Sequence, residues 1–582
     1  MGAFLLCRNN VNTQPAQEVF AKKGVHHPQL YHLNGWDLQI FAKASQDRPQ
    51  IYEQGESLIA VVGTMMYRAQ NAQDSAQSLL RDFIGGSVDR AELYGQYTVI
   101  FYHDGKLSLL CDPLFCKHVY FDESCNAFSS SLSALCRLFP EKVSADHDAF
   151  LEKLITGVIV APDTAVKGVR QLCTSQVQRI NQMDLNVSIL PGHQREKEIC
   201  FDRCGFEESV KRRNRKLCEY LEKWKPFFRD GKVDLGLSGG FDSTLLFCLL
   251  NRVFPGQVHI HSHSTGHVHD HEKACAVKMC NCENIDCNVV QTKELTALGE
   301  DLDALMQTNL YYFDGMTSFD IAGFSETYSS AYRLSATQNS RYTMTGVGGE
   351  LYRNKFAYKR VIHSGVRFLE DRFFRLNADC FAKKEEYRRI VEKHIQKAED
   401  ILQCKLHGRI SQLCARRYYS EILMSDGQGH VIDAFQTASF CVAPFLEKEL
   451  IDDGYCGIVY HGTFGEYQSA MIRDLSAAVA ACRSSYGFSF DYVPPKERIK
   501  IFLRSQVSTK VWNRIGSMGE KSKTALNYQT LYRQNAKLKQ AVQAMQKQCE
   551  NVDWQRAVED RVVVSNLSYL SYFYQELGLS EQ

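Results

Sequence analysis

The sequence has little net charge and lacks any long apolar run. Its 68 Lys and Arg residues nearly balance its 67 Asp and Glu residues, which leaves a formal charge of +1. Such a balance gives the whole chain no electrostatic attraction for nucleic acid or for an anionic membrane, although it does not exclude a local basic patch. No uninterrupted apolar run reaches the roughly 18 residues typical of a membrane span. We therefore expect neither a nucleic acid nor a membrane as partner.

Proline is scarce, with 12 among 582 residues, and no segment is of low complexity. A collagen-like or disordered chain is therefore excluded, and the length predicts two to four globular domains. Residues 1–8 lack the basic and long apolar stretches of a secretory signal. The 21 cysteines are an odd number, which argues against a complete disulfide framework. Together these features predict a cytoplasmic protein with reduced thiols.

The first part of the chain has the pattern of strands and turns. The predicted strands are residues 3–7, 58–62, 97–102, 106–111, 119–121 and 127–129. Asp104 and Gly105 predict the turn of a hairpin, and residues 73–84 have the period of a helix. This mixture predicts layered sheets flanked by helices.

A polar segment at residues 186–203 is interpreted as a linker because it contains Pro191, Gly192 and several charges. The predicted domains are residues 1–195 and 196–582. From residue 232 onward, strands and helices alternate, which predicts an α/β domain with a doubly wound parallel sheet and many helices. The predicted strands are residues 233–237, 258–263 and 342–345, and the predicted helices are residues 207–224, 244–253 and 272–280.

The strand at residues 233–237 runs into a glycine-rich turn that opens the next helix. Glycine lets the backbone approach a ligand closely, and the start of a helix offers unpaired N–H groups and the positive end of a dipole. Serine and threonine hydroxyls add donors, so the sequence predicts a phosphate-binding turn. Its predicted contact residues are Leu237, Ser238, Gly239, Gly240, Asp242, Ser243 and Thr244.

Asp242 is the acidic residue of this turn. Phosphate would repel its carboxylate unless Mg²⁺ lay between them, so Asp242 is a predicted magnesium ligand. A simpler interpretation stays open, in which the segment is an ordinary strand-to-helix turn and Asp242 or Ser243 caps the helix. The turn is not a Walker A loop, because it lacks the Gly-Lys-Ser/Thr ending.

The Ser-Gly-Gly-x-Asp-Ser pattern of residues 238–243 resembles the pyrophosphate-binding loop of the N-type ATP pyrophosphatases. That resemblance implies cleavage of ATP between the α and β phosphates. Residues 343–352 resemble a second segment, Leu-Ser/Thr-Gly-x-Gly-Gly/Ser-Asp-Glu, of the asparagine synthetase superfamily. In that superfamily the acidic residue faces magnesium and pyrophosphate, and Glu350 stands there in this chain. Thr345 and Gly346 are the further ATP contacts that the resemblance implies.

Residues between these segments match the same superfamily. Thr265 stands at the family's adenine-contact position, and residues 325–338 match the helix that precedes the second segment. A transition metal is an alternative for the alternating histidines, because alternation places side chains on one face of a strand. These histidines are His259, His261, His263, His267, His269 and His271. Four cysteines also lie close together in the sequence, at Cys275, Cys280, Cys282 and Cys287. Their spacing is not the paired Cys-x-x-Cys spacing of zinc sites, so no zinc site is predicted there.

The N-terminal region resembles the glutaminase domain of the same superfamily, an Ntn-hydrolase αββα sandwich. The matching segments, in order, are residues 95–100, 111–121, 128–132 and 162–172. Active glutaminases of the family attack glutamine with an N-terminal cysteine thiolate, whereas this chain has Gly2, and Cys7 lies inside the first predicted strand. The family's Asn-Gly-Glu motif aligns with residues 62–64, where the apolar Val62 cannot donate to an oxyanion. The resemblance therefore implies a degenerate, structural domain.

The combined resemblance implies an ATP- and Mg²⁺-dependent ligase that adenylates a carboxylate and couples it to an amine. It is similar to lasso peptide cyclases and β-lactam synthetases, which also keep an inactive glutaminase fold. The expected partners are a peptide or small-molecule carboxylate substrate, with a precursor peptide and partner biosynthetic enzymes as candidates. Glu350 is an expected catalytic residue, and Lys523, with Lys521 beside it, is the candidate for the lysine that stabilises amide formation.

Two alternatives stay open. One is an asparagine-synthetase-like amidotransferase that uses free or partner-supplied ammonia on an amino acid, peptide or sugar carboxylate. The other is a nucleotide-binding scaffold whose ligase is silent. Val347 favours the scaffold, because it replaces the Glu of asparagine synthetase and the Tyr of β-lactam synthetase at that position.

We predict that the purified protein does not hydrolyse glutamine, because both the N-terminal nucleophile and the oxyanion donor are missing. The measurement is glutamate release from glutamine in the presence of ATP and Mg²⁺, compared with the rate without protein. The Cys7→Ala variant is the control, since Cys7 is the nearest alternative thiol. Glutamate release by the wild-type protein that disappears in Cys7→Ala would contradict the degenerate assignment.

Overall fold

A computed structural model describes residues 1–47, 49–183, 185–190, 204–264, 270–293, 301–317, 324–353, 361–458, 465–506 and 531–579. The fold is mixed α/β, with several sheets that include a parallel one. The strands are β1 (Ala3–Arg8), β2 (Gln29–Leu33), β3 (Trp36–Phe41), β4 (Ile51–Gln54), β5 (Ser57–Tyr67), β6 (Leu93–His103), β7 (Lys106–Cys111), β8 (Tyr120–Asp122), β9 (Ala127–Ser129), β10 (Ser144–Ala145), β11 (Val166–Lys167), β12 (Val169–Gln171), β13 (Val187–Leu190), β14 (Val233–Gly236), β15 (Val258–Ser264), β16 (Cys287–Gln291), β17 (Tyr342–Met344), β18 (Val361–Ile362), β19 (Ile410–Ser411) and β20 (Phe440–Val442).

The α-helices are α1 (Gln14–Lys22), α2 (Ala72–Ile84), α3 (Leu132–Leu138), α4 (His147–Thr156), α5 (Thr174–Asn181), α6 (Phe206–Lys223), α7 (Phe241–Val253), α8 (His271–Cys282), α9 (Leu302–Tyr312), α10 (Ser330–Ala336), α11 (Gly365–Arg372), α12 (Lys384–Leu402), α13 (Gln412–Arg417), α14 (Gly429–Ala438), α15 (Lys448–Ile451), α16 (Glu466–Leu475), α17 (Ala477–Ala481), α18 (Pro495–Gln506), α19 (Ala536–Gln548), α20 (Trp554–Ala557) and α21 (Arg561–Leu577). A π-helical stretch, Tyr418–Gln428, precedes α14. Among the described residues, no helix is long and apolar enough to cross a membrane.

Two sheets form a sandwich in residues 1–190. Their strand orders are β12-β8-β9-β1-β3-β2 and β13-β7-β6-β5-β4. Strand β1 shows how the layers are built, because side chains alternate between the two faces of a strand. Phe4 and Leu6 enter the core shared by both sheets, whereas Leu5 and Cys7 enter a second core with α1 and α3. On the other side, α2 packs on β5. The predicted layers of sheet and helix are confirmed.

The predicted hairpin between β6 and β7 is confirmed. Asp104 and Gly105 both have positive φ, at 49° and 71°, as a type I′ turn requires, and the strands pair antiparallel. The predicted linker is wrong in its first part. Val187–Leu190 is strand β13, which pairs in parallel with β7 and adds an edge to the second sheet. Two of the four residues of β13 are buried, and its backbone pairs with β7, so a strand forms here although the surrounding segment is polar.

The predicted parallel sheet is confirmed, with the strand order β16-β15-β14-β17-β20 and every pair parallel. In chain order these are the third, second, first, fourth and fifth strands. The order therefore reverses between β14 and β17. In open α/β sheets, ligands bind where the strand order reverses, beyond the carboxyl ends of the strands. Helix α7 begins three residues before the predicted start, and α10 is shorter than the predicted helix at 325–338.

Buried polar contacts join the sandwich to the later part of the chain. Asp314, which is 5% exposed, accepts hydrogen bonds from Ser131 Oγ at 2.9 Å, Leu132 N at 2.6 Å and Ser133 N at 3.0 Å. These donors lie at the start of α3, where backbone N–H groups have no partner within the helix. Asp314 therefore caps a sandwich helix from outside the sandwich.

We predict that Asp314→Ala destabilises the protein by about 1–3 kcal/mol, because it leaves buried donors without an acceptor. Urea denaturation followed by circular dichroism measures the change. Asp301→Ala is the matched control, since Asp301 precedes α9 and its side chain makes no capping hydrogen bond. Equal unfolding free energies for the two variants would contradict the capping role.

Candidate nucleotide-binding site

The turn after β14 lies at the point where the parallel sheet reverses its order. Val233 and Leu235 anchor the strand in the core, so the chain emerges at the carboxyl edge as Ser238, Gly239 and Gly240. Gly239 has a φ of 71°, and a Cβ atom there would come within 2.6 Å of the Cys275 Cβ. Both the backbone conformation and the space therefore require glycine at this position.

Two serine hydroxyls close the turn. Ser238 Oγ and Ser243 Oγ are 3.0 Å apart, and Ser243 Oγ accepts from Ser238 N at 3.3 Å. Helix α7 has Gly240 as its N-cap and no side-chain capping bond. Asp242 and Ser243 therefore do not cap the helix, as the simpler interpretation had them, while an ordinary strand-to-helix turn stays open as the alternative. A helix start without a side-chain cap, next to two hydroxyls, is suited to an anion.

The second glycine segment packs directly on this turn. A Cβ on Gly346 would lie 2.9 Å from the Asp242 carbonyl carbon and from Ser243 N. A Cβ on Gly349 would lie 2.6 Å from the Asp242 Cβ. Real Cβ atoms do not approach so closely, so only glycine permits this backbone contact. The two segments predicted from the sequence, about a hundred residues apart, thus pack against each other and form one candidate site.

Asp242 is held by two side chains that the sequence did not indicate. Arg353 Nη2 donates to Asp242 Oδ2 at 2.7 Å, and Gln468 Nε2 donates to Asp242 Oδ1 at 3.0 Å. Arg353 also donates to Tyr486 Oη at 3.1 Å. Burial alone would lower the pKa of Arg353, but Asp242, Tyr486 and Glu350 together outweigh it and raise the pKa above its ordinary value. Arg353 is therefore a firmly charged cation between the two turns.

Glu350 lies beside the same cation. Its side chain is buried, and its Oε1 accepts from Tyr419 Oη at 2.7 Å. The Glu350 charge also contributes to raising the pKa of Arg353. Asp242 and Glu350 thus bring carboxylate oxygens, the donor type that Mg²⁺ prefers, near the turn after β14. Arg353 already contacts the Asp242 carboxylate, so a magnesium ion on Asp242 would have to displace this contact.

The remaining predicted contacts differ in their burial and backbone partners. Thr244 is fully buried, and its hydroxyl donates to Met279 Sδ at 3.6 Å, so its side chain belongs to the core of α7 and α8 and not to the mouth of the turn. Leu237 is also buried, and its N–H donates to His261 O at 2.8 Å. Thr345 lies at the end of β17, where its N–H donates to Val442 O at 3.1 Å. Thr265 and Lys523, with Lys521, lie outside the described residues.

Two histidines of β15 contact the carboxylate of Asp234. His261 Nδ1 lies 2.8 Å from Asp234 Oδ1, and His259 Nδ1 contacts the other oxygen of the same carboxylate. Although burial raises the pKa of Asp234, the hydrogen bonds from His259 and His261 lower it overall. Of the described members of the alternating set, His259 and His261 thus contact a buried carboxylate beneath the turn, whereas His263 Nδ1 lies 3.0 Å from Tyr332 Oη. His267 and His269 lie outside the described residues.

The cysteine cluster also has no metal geometry among the described residues, since Cys275, Cys280, Cys282 and Cys287 do not meet as a ligand group there. The described cysteines are free thiols. The positions where the resemblance would place a glutaminase centre are closely packed. A Cβ on Gly2 would come within 2.9 Å of Ala42 O, and Val62 is fully buried in β5.

Neither models of known protein families nor curated proteins match the sequence. The function of this chain is therefore inferred from its own residues and geometry.

We predict that Gly349→Ala weakens ATP binding by about 1–3 kcal/mol, because its methyl group forces the two turns apart. Isothermal titration calorimetry with ATP and Mg²⁺ gives the affinity. Gly85→Ala is the control, because Gly85 has a negative φ and the nearest atom to its added Cβ lies 3.5 Å away. Unchanged ATP affinity in Gly349→Ala would show that the two turns do not form the site together.

Proposed function

We propose that this chain is an ATP-dependent amide-forming ligase, which adenylates a substrate carboxylate at the paired turns and then couples it to an amine. The observation that carries the proposal is the direct contact of Gly346 and Gly349 with Asp242, at the point where the parallel sheet reverses its strand order. This is the position at which doubly wound sheets bind ligands.

The chemistry follows from the groups around the paired turns. Ser238 and Ser243 hydroxyls and the start of α7 bind phosphate oxygens. Magnesium, held by Asp242 and Glu350, would neutralise the pyrophosphate leaving group. Arg353 neutralises Asp242 in the absence of nucleotide, and once displaced it is placed to stabilise the charge that develops on the phosphates. The substrate carboxylate attacks the α-phosphorus, pyrophosphate leaves, and an amine then displaces AMP.

The proposed source of the amine depends on whether the N-terminal sandwich can release ammonia. With Gly2 and Val62 in place of the glutaminase groups, the sandwich is proposed to have a structural role and to release no ammonia. The amine is then part of a peptide or small-molecule substrate. The amidotransferase alternative differs in using free ammonia, so the dependence of product formation on ammonium salts separates the two.

We predict that Asp242→Asn lowers ATP–pyrophosphate exchange by about a hundredfold or more, because the variant loses the charge that holds magnesium. Exchange is measured with mixtures of amino acids and of peptides as carboxylate donors. The control is Asp230→Asn, which changes an exposed carboxylate that pairs with Arg341. Circular dichroism checks that both variants fold, and Glu350→Gln gives an independent measure of the magnesium role.

Retained exchange in Asp242→Asn would refute the magnesium role of Asp242. Binding of ATP by the wild-type protein without exchange on any carboxylate in the mixtures would favour the scaffold alternative.

A further inference from the structure

A second group of polar side chains lies apart from the paired turns, where the sandwich meets α14. His118 belongs to the segment between β7 and β8, His430 and Asp433 lie on α14, and Asp426 lies on the π-helical stretch before it. His118 and His430 are 1% and 2% exposed, and Asp426 is 6% exposed. The proposed ligase chemistry uses none of these groups.

Their donor atoms converge. One ring nitrogen of His118, one of His430 and one carboxylate oxygen of Asp433 all lie within 4.8 Å of one another. The two imidazole rings are 4.2 Å apart between centroids, and Asp426 Oδ1 is 3.8 Å from His430 Nε2. Two imidazoles with an adjacent carboxylate are a common ligand set for divalent transition metals.

The hydrogen bonds direct the His118 ring. Its Nδ1 lies 2.7 Å from Asp433 Oδ2, whose other oxygen is 2.8 Å from Lys117 Nζ. This carboxylate–histidine pair fixes the ring and leaves Nε2 for a ligand, as in metal centres in which a carboxylate orients the histidine. Within the described part of the chain, neither His118 Nε2 nor His430 Nε2 makes a hydrogen bond. Two buried imidazole nitrogens without partners are costly unless a ligand binds them.

The backbone makes room for this arrangement. A Cβ on Gly429 would come within 2.8 Å of His118 Cε1 and 3.0 Å of its Nε2, so a larger residue would push the ring away from His430. A cleft lined by Gln171, Cys173 and Ser425 reaches Asp426, at the edge of this group.

We propose that His118 and His430 bind a divalent transition-metal ion of the zinc type through their Nε2 atoms. Asp433, whose carboxylate converges with both rings, orients His118, and Asp426 lies beside the pair, 3.8 Å from His430 Nε2. The ion would join the sandwich to α14 and would be structural, since His118 and His430 come from the two sides of that contact.

The test uses the full-length protein, purified and dialysed with Zn²⁺, and measures bound metal by mass spectrometry. We expect about one ion per chain, together with the visible absorption of Co²⁺ in four-coordinate geometry when Co²⁺ replaces Zn²⁺. His118→Gln and His430→Gln should each lose most of the bound metal, and Asp433→Asn should weaken binding by about 10–100-fold.

His394→Gln is the matched control. His394 is also fully buried beside a carboxylate, but both of its ring nitrogens already have protein partners, Glu152 and Tyr418, so this variant should keep its metal. Absence of stoichiometric zinc and of the Co²⁺ spectrum in the wild-type protein would overturn the proposal, whether or not the variants fold. Equal metal content in folded His118→Gln and wild type would overturn it as well.

Discussion

The candidate site depends on one backbone contact, between the turn after β14 and the turn after β17. Gly346 and Gly349 let the second turn lie against Asp242 without a side chain between them. Two neighbouring strands of a parallel sheet end side by side, so their following turns share one edge. Where the strand order reverses, the connections leave toward opposite sides and open a crevice between the turns. The glycines then bring the two halves of the site into contact.

That contact also sets the electrostatics. It places Arg353 on Asp242 and near Glu350, so the candidate site contains its own counter-ion. In the proposed function, a nucleotide with magnesium brings both phosphate anions and a cation, which would exchange partners with this ion pair at little net cost in charge. The buried carboxylate of Asp234, beneath the turn, has separate partners in His259 and His261.

Much of the fold could be predicted from local patterns. The hairpin at Asp104 and Gly105, the parallel strands and the two glycine segments all follow from short-range chemistry that the sequence displays. Arg353 and Gln468 could not be predicted as partners of Asp242, because that partnership depends on tertiary packing across more than a hundred residues. The buried position of Thr244 follows from the early start of α7, which turns this hydroxyl toward Met279. Strand β13 was not predicted, because it lies in a segment whose polar composition indicates a linker and it forms through its pairing with β7.

A crystal structure with α,β-methylene-ATP and Mg²⁺, an analogue that resists cleavage between the α and β phosphates, tests the central claim most directly. The account predicts that the β and γ phosphates lie between Ser238–Ser243 hydroxyls and the Gly346–Gly349 turn, with magnesium on Asp242 and Glu350. It also predicts that Arg353 leaves Asp242 for the phosphates. A nucleotide bound elsewhere, or phosphates in this crevice with the Arg353–Asp242 pair intact and no metal on Asp242, would contradict it.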